Sequence, residues 1–501
     1  MRNSKGNSSV WKNPCGSKTP ALVAAMSAWI ILFAALAAKA DLYWSPFVNT
    51  YHSVRKLART SPTTGAGAVC VDPYCQDDLW FAGENRKEEK PYDLYFSHLF
   101  FTKVNNLMIP LSFGGADLGA STYLQHAGKT IYFMGDSWGA PSSTYCSKTT
   151  TSQSKYCDDA ILLSSDTNPS DGIDTQILMD TATRHFAPVI IPGVNKKGTT
   201  LLVPDYVNYY NVPCGVSSRI LSTLKYVSGL GWTVVTKDQI WLFYDVFNGQ
   251  NNVSVLACST DNGMSFSTCY GDAPEVFSDS RFVYVAPVYI SNARWDDIEA
   301  HCVSNSTDSM CKLQDTLSDH GDTGDGFLLF AAQNGSYRKS PLYLGYIPAS
   351  SNAKYFWTGS IWSTSESQAK KVIPGNSLNT YIGDQSVKIA EDANGEPYLI
   401  LLYDRIGTNT IFLRISSLYT PDAWSSEIPT QNRGYGPFII ENTINGTGTT
   451  LKLYHLISGW DGTTRPEDPE GNRAPYGVYS TPLLDASGNY FTWADLIDAL
   501  P

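Results

Sequence analysis

The sequence lacks the patterns by which proteins usually bind metals. It has no CxxC pair, and its seven histidines are scattered, with no partner at ligand spacing. Structural zinc is held by such Cys and His sets, so no metal site and no other cofactor is predicted. The acidic segment 319–325 (DHGDTGD) lacks the spacing of an EF-hand loop and is interpreted as an exposed loop between strands.

Basic residues are also scarce. The chain has 36 Lys and Arg against 47 Asp and Glu, a net charge of −11. Five of the basic residues fall within the first 40 positions, where there is no acid, so the remainder has 31 basic residues against 47 acidic ones. Such a balance repels polyanions, which argues against nucleic acid as a partner.

The first 40 residues have the pattern of a targeting segment. Basic side chains precede an apolar run at 21–38, and Ala38-Lys39-Ala40 has the small-residue spacing of a cleavage site. Residues 1–40 are therefore predicted to be a signal peptide, or an uncleaved anchor because the run is about long enough to span a bilayer. The protein is expected to be secreted, with membrane contact only if this segment stays uncleaved.

The cysteines agree with export. Apart from Cys15 and Cys214 they fall into close pairs, which predicts four disulfides that bracket local loops: Cys70–Cys75, Cys146–Cys157, Cys258–Cys269 and Cys302–Cys311. Sequons predict glycosylation at exposed asparagines in a eukaryotic secretory host: Asn252, Asn305, Asn334 and Asn445.

After an N-terminal lead-in at 41–100, residues 101–501 are predicted to form one all-β domain, expected to be monomeric. Strand-like segments occur in consecutive pairs: 121–124 with 130–134 and a return strand at 158–166, 239–248 with 253–259, 326–335 with 340–349, 397–406 with 409–418, and 451–460 with 474–483. Five such units predict a five-bladed β-propeller. Further strand-like pieces at 194–235 leave open a sixth blade or a long insertion.

Two local motifs refine this fold. Ser259, Asp261, Gly263 and Phe266 fit the S-x-D-x-G-x-x-F Asp-box, a hairpin turn that is common in propellers and has a structural role. At the C-terminus, 492–500 is predicted to be a short helix with Thr492 as its N-cap.

Two aspartates stand on either side of the first predicted hairpin, in GGADLGASTYLQHAGKTIYFMGDSWG at 114–139. With a four-residue turn, Leu124 pairs with Lys129 and Asp117 falls opposite Asp136, with Cβ atoms about 4.5–5.5 Å apart. Two carboxylates that close cannot both ionise freely, so one keeps a proton near neutral pH. A glycosidase needs this combination of an acid with a base or nucleophile. The alternatives are simple turn chemistry and a one-residue slip that separates the pair.

The same region also matches G-x-S-x-G at 135–139, the nucleophile elbow of serine hydrolases. That elbow requires a helix after the turn. The following segment, APSSTYCSKTTTSQSKYC, contains a proline and many Ser and β-branched residues and is a poor helix former. The serine-hydrolase interpretation is therefore disfavoured.

The order of short motifs along the chain resembles the endo-D-arabinanase family, secreted five-bladed propellers formerly grouped as a domain of unknown function. The resemblance covers roughly Phe113 to Leu484. It rests on ADLG at 116–119, GDSW at 135–138, DDAILLSSD with NPSDG at 158–172, the Asp-box, Arg338, GDQSV at 383–387, Arg414, Trp424-Ser425, Tyr435-Gly436 and Ser458-Gly459-Trp460. The chain departs from the family at Ala116 and Asp384, where relatives often have Thr and Glu. It also departs where Phe438 follows Pro437, since relatives often have His-Pro there, and in the long region 194–235.

The resemblance implies an endo-acting hydrolase of furanosyl linkages in an arabinan-like polysaccharide, with Asp117 and Asp136 as the catalytic pair. It further implies sugar contacts, by stacking or by hydrogen bonds to hydroxyls, from Trp138, Asp159, Arg338, Asp384, Tyr435 and Trp460. Two alternatives remain open at this point. One is a sugar-binding propeller without catalysis, which would not require both aspartates. The other is a different furanosidase or a sialidase-type propeller.

Overall fold

The protein is described by a computed structural model over residues 42–44, 48–49, 101–104, 107–110, 115–138, 160–167, 169, 173–180, 212–229, 231–247, 252–270, 275–277, 281–332, 340–375, 381–405, 410–459 and 477–501. The predicted disulfides Cys70–Cys75 and Cys146–Cys157 and the sequon at Asn334 lie outside these residues. Within them, no helix combines the length and the apolar character needed to cross a membrane.

The first sheet is blade 1. In chain order the strands are β1 (Leu42–Trp44), β2 (Val48–Asn49), β3 (Phe101–Val104), β4 (Leu107–Pro110), β5 (Gly115–Leu124), β6 (Lys129–Trp138), β7 (Ala160–Ser164) and β8 (Asp174–Asp180). The sheet has the order β1-β8-β7-β6-β5, β2 also pairs with β8, and β3 and β4 form a separate hairpin. The predicted hairpin and return strand are therefore β5, β6 and β7.

Blades 2 and 3 follow. Blade 2 contains β9 (Val212–Val227), β10 (Gly231–Phe247), β11 (Asn252–Ser259) and β12 (Glu275–Phe277). Blade 3 contains β13 (Tyr284–Ile290), then helices α1 (Asn292–Cys302) and α2 (Ser309–His320), then β14 (Gly326–Ala332), β15 (Leu342–Pro348), β16 (Tyr355–Trp357), β17 (Trp362–Ser363), a 3-10 turn (Glu366–Gln368) and β18 (Lys371–Ile373). The sequence did not predict the helical insertion between β13 and β14.

Blades 4 and 5 complete the set. Blade 4 contains β19 (Gln385–Glu391), β20 (Pro397–Asp404), β21 (Thr410–Ser417) and β22 (Ile428–Arg433). Blade 5 is the sheet of β23 (Tyr435–Ile439), β25 (Tyr454–Gly459) and β26 (Gly477–Pro482). The remaining elements are a 3-10 turn (Glu441–Thr443), the short pair β24 (Thr450–Leu451) with β27 (Phe491–Thr492), and helix α3 (Trp493–Asp498).

The innermost strands of the five sheets close into a ring. They are β5, β9, β13, β19 and β23, and each contacts the next, with β23 returning to β5. Ser121 of β5 donates to the carbonyl of Ile439 at the end of β23 at 3.0 Å, and Ser218 of β9 donates to the carbonyl of Tyr123 at 2.6 Å. Five sheets around one channel make a five-bladed propeller, so that prediction is confirmed. The described part of 194–235 is β9 and the beginning of β10, so it does not form a sixth blade.

Each predicted strand pair is found in its blade. β10 pairs with β11, β14 with β15, β20 with β21, and β25 with β26, all antiparallel. Every residue of β14 and β15 is buried, because neighbouring blades cover both faces of these strands. Long apolar runs therefore mark them clearly in the sequence.

The Asp-box also forms as predicted. Asp261 Oδ1 accepts from the backbone N–H of Ser265 at 2.9 Å, and Ser259 Oγ accepts from the N–H of Gly263 at 2.9 Å. Gly263 has φ +84°, which glycine adopts without strain. Phe266 is buried and meets Phe133 edge to face, with ring centroids 5.9 Å apart. The motif thus joins the outer part of blade 2 to blade 1.

Two predicted disulfides are confirmed. Cys258–Cys269 brackets the Asp-box, and Cys302–Cys311 joins α1 to α2. Cys214 stays a buried thiol.

The C-terminal helix is confirmed as well, because Thr492 Oγ1 accepts from the N–H of Asp495 at 3.1 Å. Of the predicted glycosylation sites, Asn305 and Asn445 are exposed, and their glycosylation remains a prediction.

Acid is expected to destabilise the fold through His455 of β25. The imidazole is fully buried, its Nδ1 donates to the carbonyl of Leu456 at 3.3 Å, and its Nε2 has no hydrogen-bond partner among the described residues. Burial lowers the pKa of His455 to about 4, because the imidazolium would lose its hydration. The unfolded chain, with a pKa of about 6.5, takes up the proton first. Stability is thus fully present above about pH 6.5 and falls between pH 6.5 and 4 by up to about 3 kcal/mol.

The measurement is the free energy of unfolding in urea at pH 7 and pH 4.5. We expect His455→Gln to lose less stability on this acidification than the unsubstituted chain. His320→Gln, at an exposed position on α2, is the matched control and should lose as much as the unsubstituted chain. An equal loss in His455→Gln would show that this buried imidazole is not the acid-sensitive group.

Candidate functional site

All five innermost strands begin at the same end of the central channel, which we call the upper mouth. Cys214, near the start of β9, donates from Sγ to the carbonyl of Val283, which directly precedes β13, at 3.7 Å. Gln385, the first residue of β19, donates from Nε2 to the carbonyl of Tyr284, the first residue of β13, at 3.1 Å. The contact of Ser121 with Ile439 joins the later parts of β5 and β23. These strands therefore run in one direction, and the second strand of each blade, being antiparallel, ends at the upper mouth.

Among the described residues, the chain brings the backbones of five predicted site residues to this end of the propeller: Asp117, Asp136, Trp138, Asp384 and Tyr435. Asp117 and Tyr435 lie in the first residues of β5 and β23, Asp384 directly precedes β19, Asp136 and Trp138 lie in the last residues of β6, Asp159 precedes β7, Arg338 belongs to the connection from β14 to β15, and Trp460 follows β25. Asp159, Arg338 and Trp460 lie outside the described residues, as do the side chains of Asp117, Asp136 and Trp138.

The register of the first hairpin corrects one expectation. Leu124 pairs with Lys129 as predicted, but Asp117 pairs with Gly135 and not with Asp136. Between Ala120 and Asp117 the strand β5 has one extra residue. Between Gly135 and Trp138 the strand β6 has one extra residue, so that Gly115 and Trp138 pair again in the original register. Asp117 and Asp136 are thus one residue out of register on neighbouring strands.

Gly119 explains why the strand bulges where it does. Its φ is +155°, a conformation that side-chain-bearing residues rarely adopt. A Cβ at this position would lie 2.4 Å from Leu456 Cδ1 of blade 5. The absence of a side chain therefore permits both the backbone conformation and the close approach. β-bulges re-aim neighbouring side chains and are common next to active sites.

Asp384 and Tyr435 are the two predicted sugar contacts whose side chains are described. Tyr435 is half-buried, which leaves part of the ring accessible. Asp384 is only 4% exposed, and its backbone is held by Asp404 of β20, whose Oδ1 accepts from the Asp384 N–H at 2.7 Å. Gly383 fits there because a Cβ would lie 2.4 Å from that same oxygen. Most of the Asp384 carboxylate is therefore covered.

Sequence reasoning missed two further carboxylates at the upper mouth. Asp245 and Asp404 are 0% and 2% exposed, and each lies near the end of the second strand of its blade, after Tyr244 and Tyr403 respectively. Burial, with added repulsion from Asp245 and Asp384, raises the pKa of the Cys214 thiol well above its usual value. The recurring Tyr-Asp at a strand end was the available signal.

A different polar network lies in the channel, further from the upper mouth. Glu441, just after β23, accepts at Oε2 from Thr122 Oγ1 (2.9 Å), from the N–H of Tyr123 (3.1 Å) and from Lys388 Nζ (3.2 Å). Lys388 also donates to the carbonyl of Val216 at 3.4 Å. These contacts join blades 1, 2, 4 and 5.

A cavity of about 620 Å³ opens beside this network, at the end of the channel opposite the upper mouth. Its lining includes Thr167, Glu391, Asn442 and Tyr454. These residues follow strands that run away from the upper mouth, or begin strands that return to it. The cavity therefore does not contain the predicted catalytic pair.

Comparisons with known proteins give one family. The family described as "Domain of unknown function (DUF4185)" matches residues 104–481. No curated protein matches the sequence. Among solved structures, the fructofuranosidase from Schwanniomyces occidentalis complexed with fructose is similar over 81% of this chain and 58% of that chain, with 8% sequence identity and a TM-score of 0.36. The chain thus spans less than two thirds of that enzyme.

Proposed function

The chain belongs to the DUF4185 family, and we propose that it is a glycoside hydrolase that cleaves furanosyl linkages within an arabinan-like polysaccharide. One observation carries the proposal. Asp117 and Asp136 lie on paired strands at the upper mouth, where all five innermost strands begin. The mouth of a barrel-like or propeller channel is a usual place for a ligand site.

The chemistry needs one carboxylic acid and one carboxylate. The acid protonates the leaving glycosidic oxygen, and the carboxylate attacks the sugar or activates a water molecule. Asp117 and Asp136 are proposed for these roles because their backbones lie on paired strands at the upper mouth and because the resemblance to endo-D-arabinanases implies them as the catalytic pair. Asp245 and Asp384 add further buried carboxyl groups at the same mouth.

The substrate class follows from the surrounding residue types and from the resemblance to endo-D-arabinanases. Aromatic rings at Trp138, Tyr435 and Trp460 suit stacking on sugar rings. Polar groups at Asp159, Arg338 and Asp384 suit hydroxyl groups. The excess of acidic residues favours a neutral polysaccharide over a polyanion.

The protein is proposed to act outside the cell. The targeting pattern of residues 1–40 and the disulfides Cys258–Cys269 and Cys302–Cys311 support an oxidising compartment. An arabinan of the extracellular matrix or of a cell envelope is accessible there.

The test is to incubate the protein with a panel of D- and L-arabinans, fructans and arabinoxylans and to analyse the products. We expect internal cleavage of an arabinan, seen as a ladder of oligosaccharides with new reducing ends. Binding to arabinan without products would favour a sugar-binding propeller. Cleavage of another furanosyl polymer would support the assignment as a hydrolase but would assign a different substrate. Release of monosaccharide alone would show that the enzyme cleaves from the chain ends and not internally.

A further inference from the structure

The long hairpin of β9 and β10 carries most of the exposed large apolar side chains of the described residues. Seven such side chains are exposed, and two of them, Val303 and Ile361, lie elsewhere. The five on the hairpin are Ile220 (41% exposed), Leu224 (62%), Tyr226 (66%), Trp232 (68%) and Val234 (66%). Exposed apolar groups that cluster in this way mark an interaction surface.

The register places these side chains on one face. Tyr226 pairs with Trp232 and Leu224 pairs with Val234, and Ile220 precedes them by an even number of residues. Side chains alternate between the two faces of a strand. The same face therefore also carries Ser222 and Thr236 and has no charged residue before Asp238, which is buried at the base. We call the residues 219–239 the arm and this surface its apolar face.

The arm extends beyond its blade because β11 pairs with β10 only from Ile240 onwards. Nine residues per strand then extend as a two-stranded ribbon of about 30 Å, away from the upper mouth. Two-stranded ribbons are marginally stable alone in water and need a surface to pack against.

The base of the arm is held firmly between blades 1 and 3. Asp238 accepts from the N–H groups of His126 and Ala127 at 2.9 and 2.8 Å, in the turn between β5 and β6. On the other strand, Arg219 donates to Asp325 at 2.7 Å and to Gln239 at 2.8 Å. The arm is thus oriented before any partner binds, which lowers the entropy lost on association.

Two kinds of partner fit the apolar face poorly. A polysaccharide would stack on coplanar rings, but the rings of Tyr226 and Trp232 are inclined at 72°. A bilayer core would leave the outer backbone groups of the ribbon without hydrogen bonds, because β11 no longer covers β10 along the arm. An apolar protein surface does not need coplanar rings, and it leaves the outer backbone groups of the ribbon in contact with water.

We propose that the partner is a second copy of this chain, which packs its own arm face to face against the first. The five side chains expose on the order of 600 Å² per arm, so two arms together reach about 1,200 Å², the lower limit for a stable interface. A two-fold axis through such a contact brings the same uncharged face to itself. Lys225 and Lys237 lie on the other face of the ribbon, so no like charges of the arm meet in this contact. Both upper mouths stay open.

The test is sedimentation of the full chain over a range of concentrations, compared with the double variant Leu224→Ser/Trp232→Ser. We expect a concentration-dependent dimer whose dissociation constant rises by at least about 100-fold in the variant, because each substitution occurs twice in the interface. The control is Val303→Ser/Ile361→Ser, which removes equally exposed apolar side chains elsewhere and should leave the dissociation constant unchanged.

Hydrogen exchange supplies a second measurement that does not depend on the variants. Amides in 219–239 should become protected as the dimer forms. A monomer at every concentration, or a dimer that persists in the arm variant, would overturn the proposal. So would protection of the arm that arises only with phosphatidylcholine–phosphatidylglycerol vesicles, which would identify a lipid surface instead. None of these outcomes depends on the catalytic assignment.

Discussion

Asp117→Asn and Asp136→Asn are each expected to lower kcat/KM for arabinan cleavage by a factor of about 10² or more. Asparagine keeps the size of the side chain but can neither donate the proton to the leaving oxygen nor act as the base or nucleophile. Binding of the polysaccharide should change much less, because the sugar contacts are proposed to come from other residues. Activity is measured from new reducing ends, and affinity from binding to a non-cleaved oligosaccharide.

The control for this pair is Asp315→Asn, at an exposed position on α2. It should cleave at the unsubstituted rate and should have the same thermal midpoint as Asp117→Asn and Asp136→Asn. Wild-type rates in both Asp117→Asn and Asp136→Asn would refute the catalytic assignment and favour a binding propeller.

The pH dependence of kcat/KM tests the same pair in another way. A bell-shaped profile is expected, and its two limbs report the pair jointly rather than either aspartate alone. Each Asn variant should lose one limb of the bell in its residual activity. The anomer of the first product then reports the separation of the carboxyl groups, since about 5–5.5 Å gives retention and about 6.5–9.5 Å gives inversion.

The apolar strands of the blades were predictable from the sequence because neighbouring blades cover both of their faces. β14 and β20 read GFLLFAA and PYLILLYD, and nearly all of their residues are buried. Such runs are typical of strands buried on both faces. The hairpin, the Asp-box and the capped C-terminal helix were predictable for a different reason, since each depends on residues close together in the chain.

The innermost strands of blades 3 to 5 were not predictable in the same way. β13 contains Pro287, β23 contains Gly436 and Pro437, and β19 contains Lys388. Proline and glycine weaken a strand assignment, and a polar side chain interrupts an apolar run. The prolines are tolerated because each of these innermost strands is an edge strand of its sheet. Lys388 is tolerated because it contacts Glu441 and the carbonyl of Val216.

The full register of the first hairpin, β5 with β6, could not be predicted from the sequence either. The turn fixed the pairing of Leu124 with Lys129, but the bulge depends on Gly119 and on its contact with Leu456. That contact joins residues more than 300 positions apart and becomes visible only when blade 5 closes against blade 1. The arm was missed for a different reason, since its alternating pattern is also that of an ordinary strand within a blade.

Glu441→Gln is expected to destabilise the protein by about 3 kcal/mol, the lower end for a broken buried ion pair. Lys388 is 4% exposed, and the substitution would leave its ammonium group buried without a counter-charge. The lower end applies because 38% of the Glu441 side chain remains exposed and is screened by water. The measurement is the free energy of urea unfolding at pH 7. The control is Glu391→Gln, whose exposed pair with Arg294 should cost less than about 1 kcal/mol.

The double variant Glu441→Gln/Lys388→Met separates the charge effect from packing. With both charges gone, much of the lost stability should return, because an apolar replacement of a buried pair is often neutral. Burial alone would raise the pKa of Glu441, but Lys388 and the hydrogen bonds from Tyr123 and Thr122 hold it below its usual value. The pair therefore stabilises the fold fully above about pH 4.3 and loses its effect as the pH falls further. That window lies below the one assigned to His455. If the double variant were no more stable than Glu441→Gln, the loss in the single variant would not come from an unpaired Lys388 ammonium group.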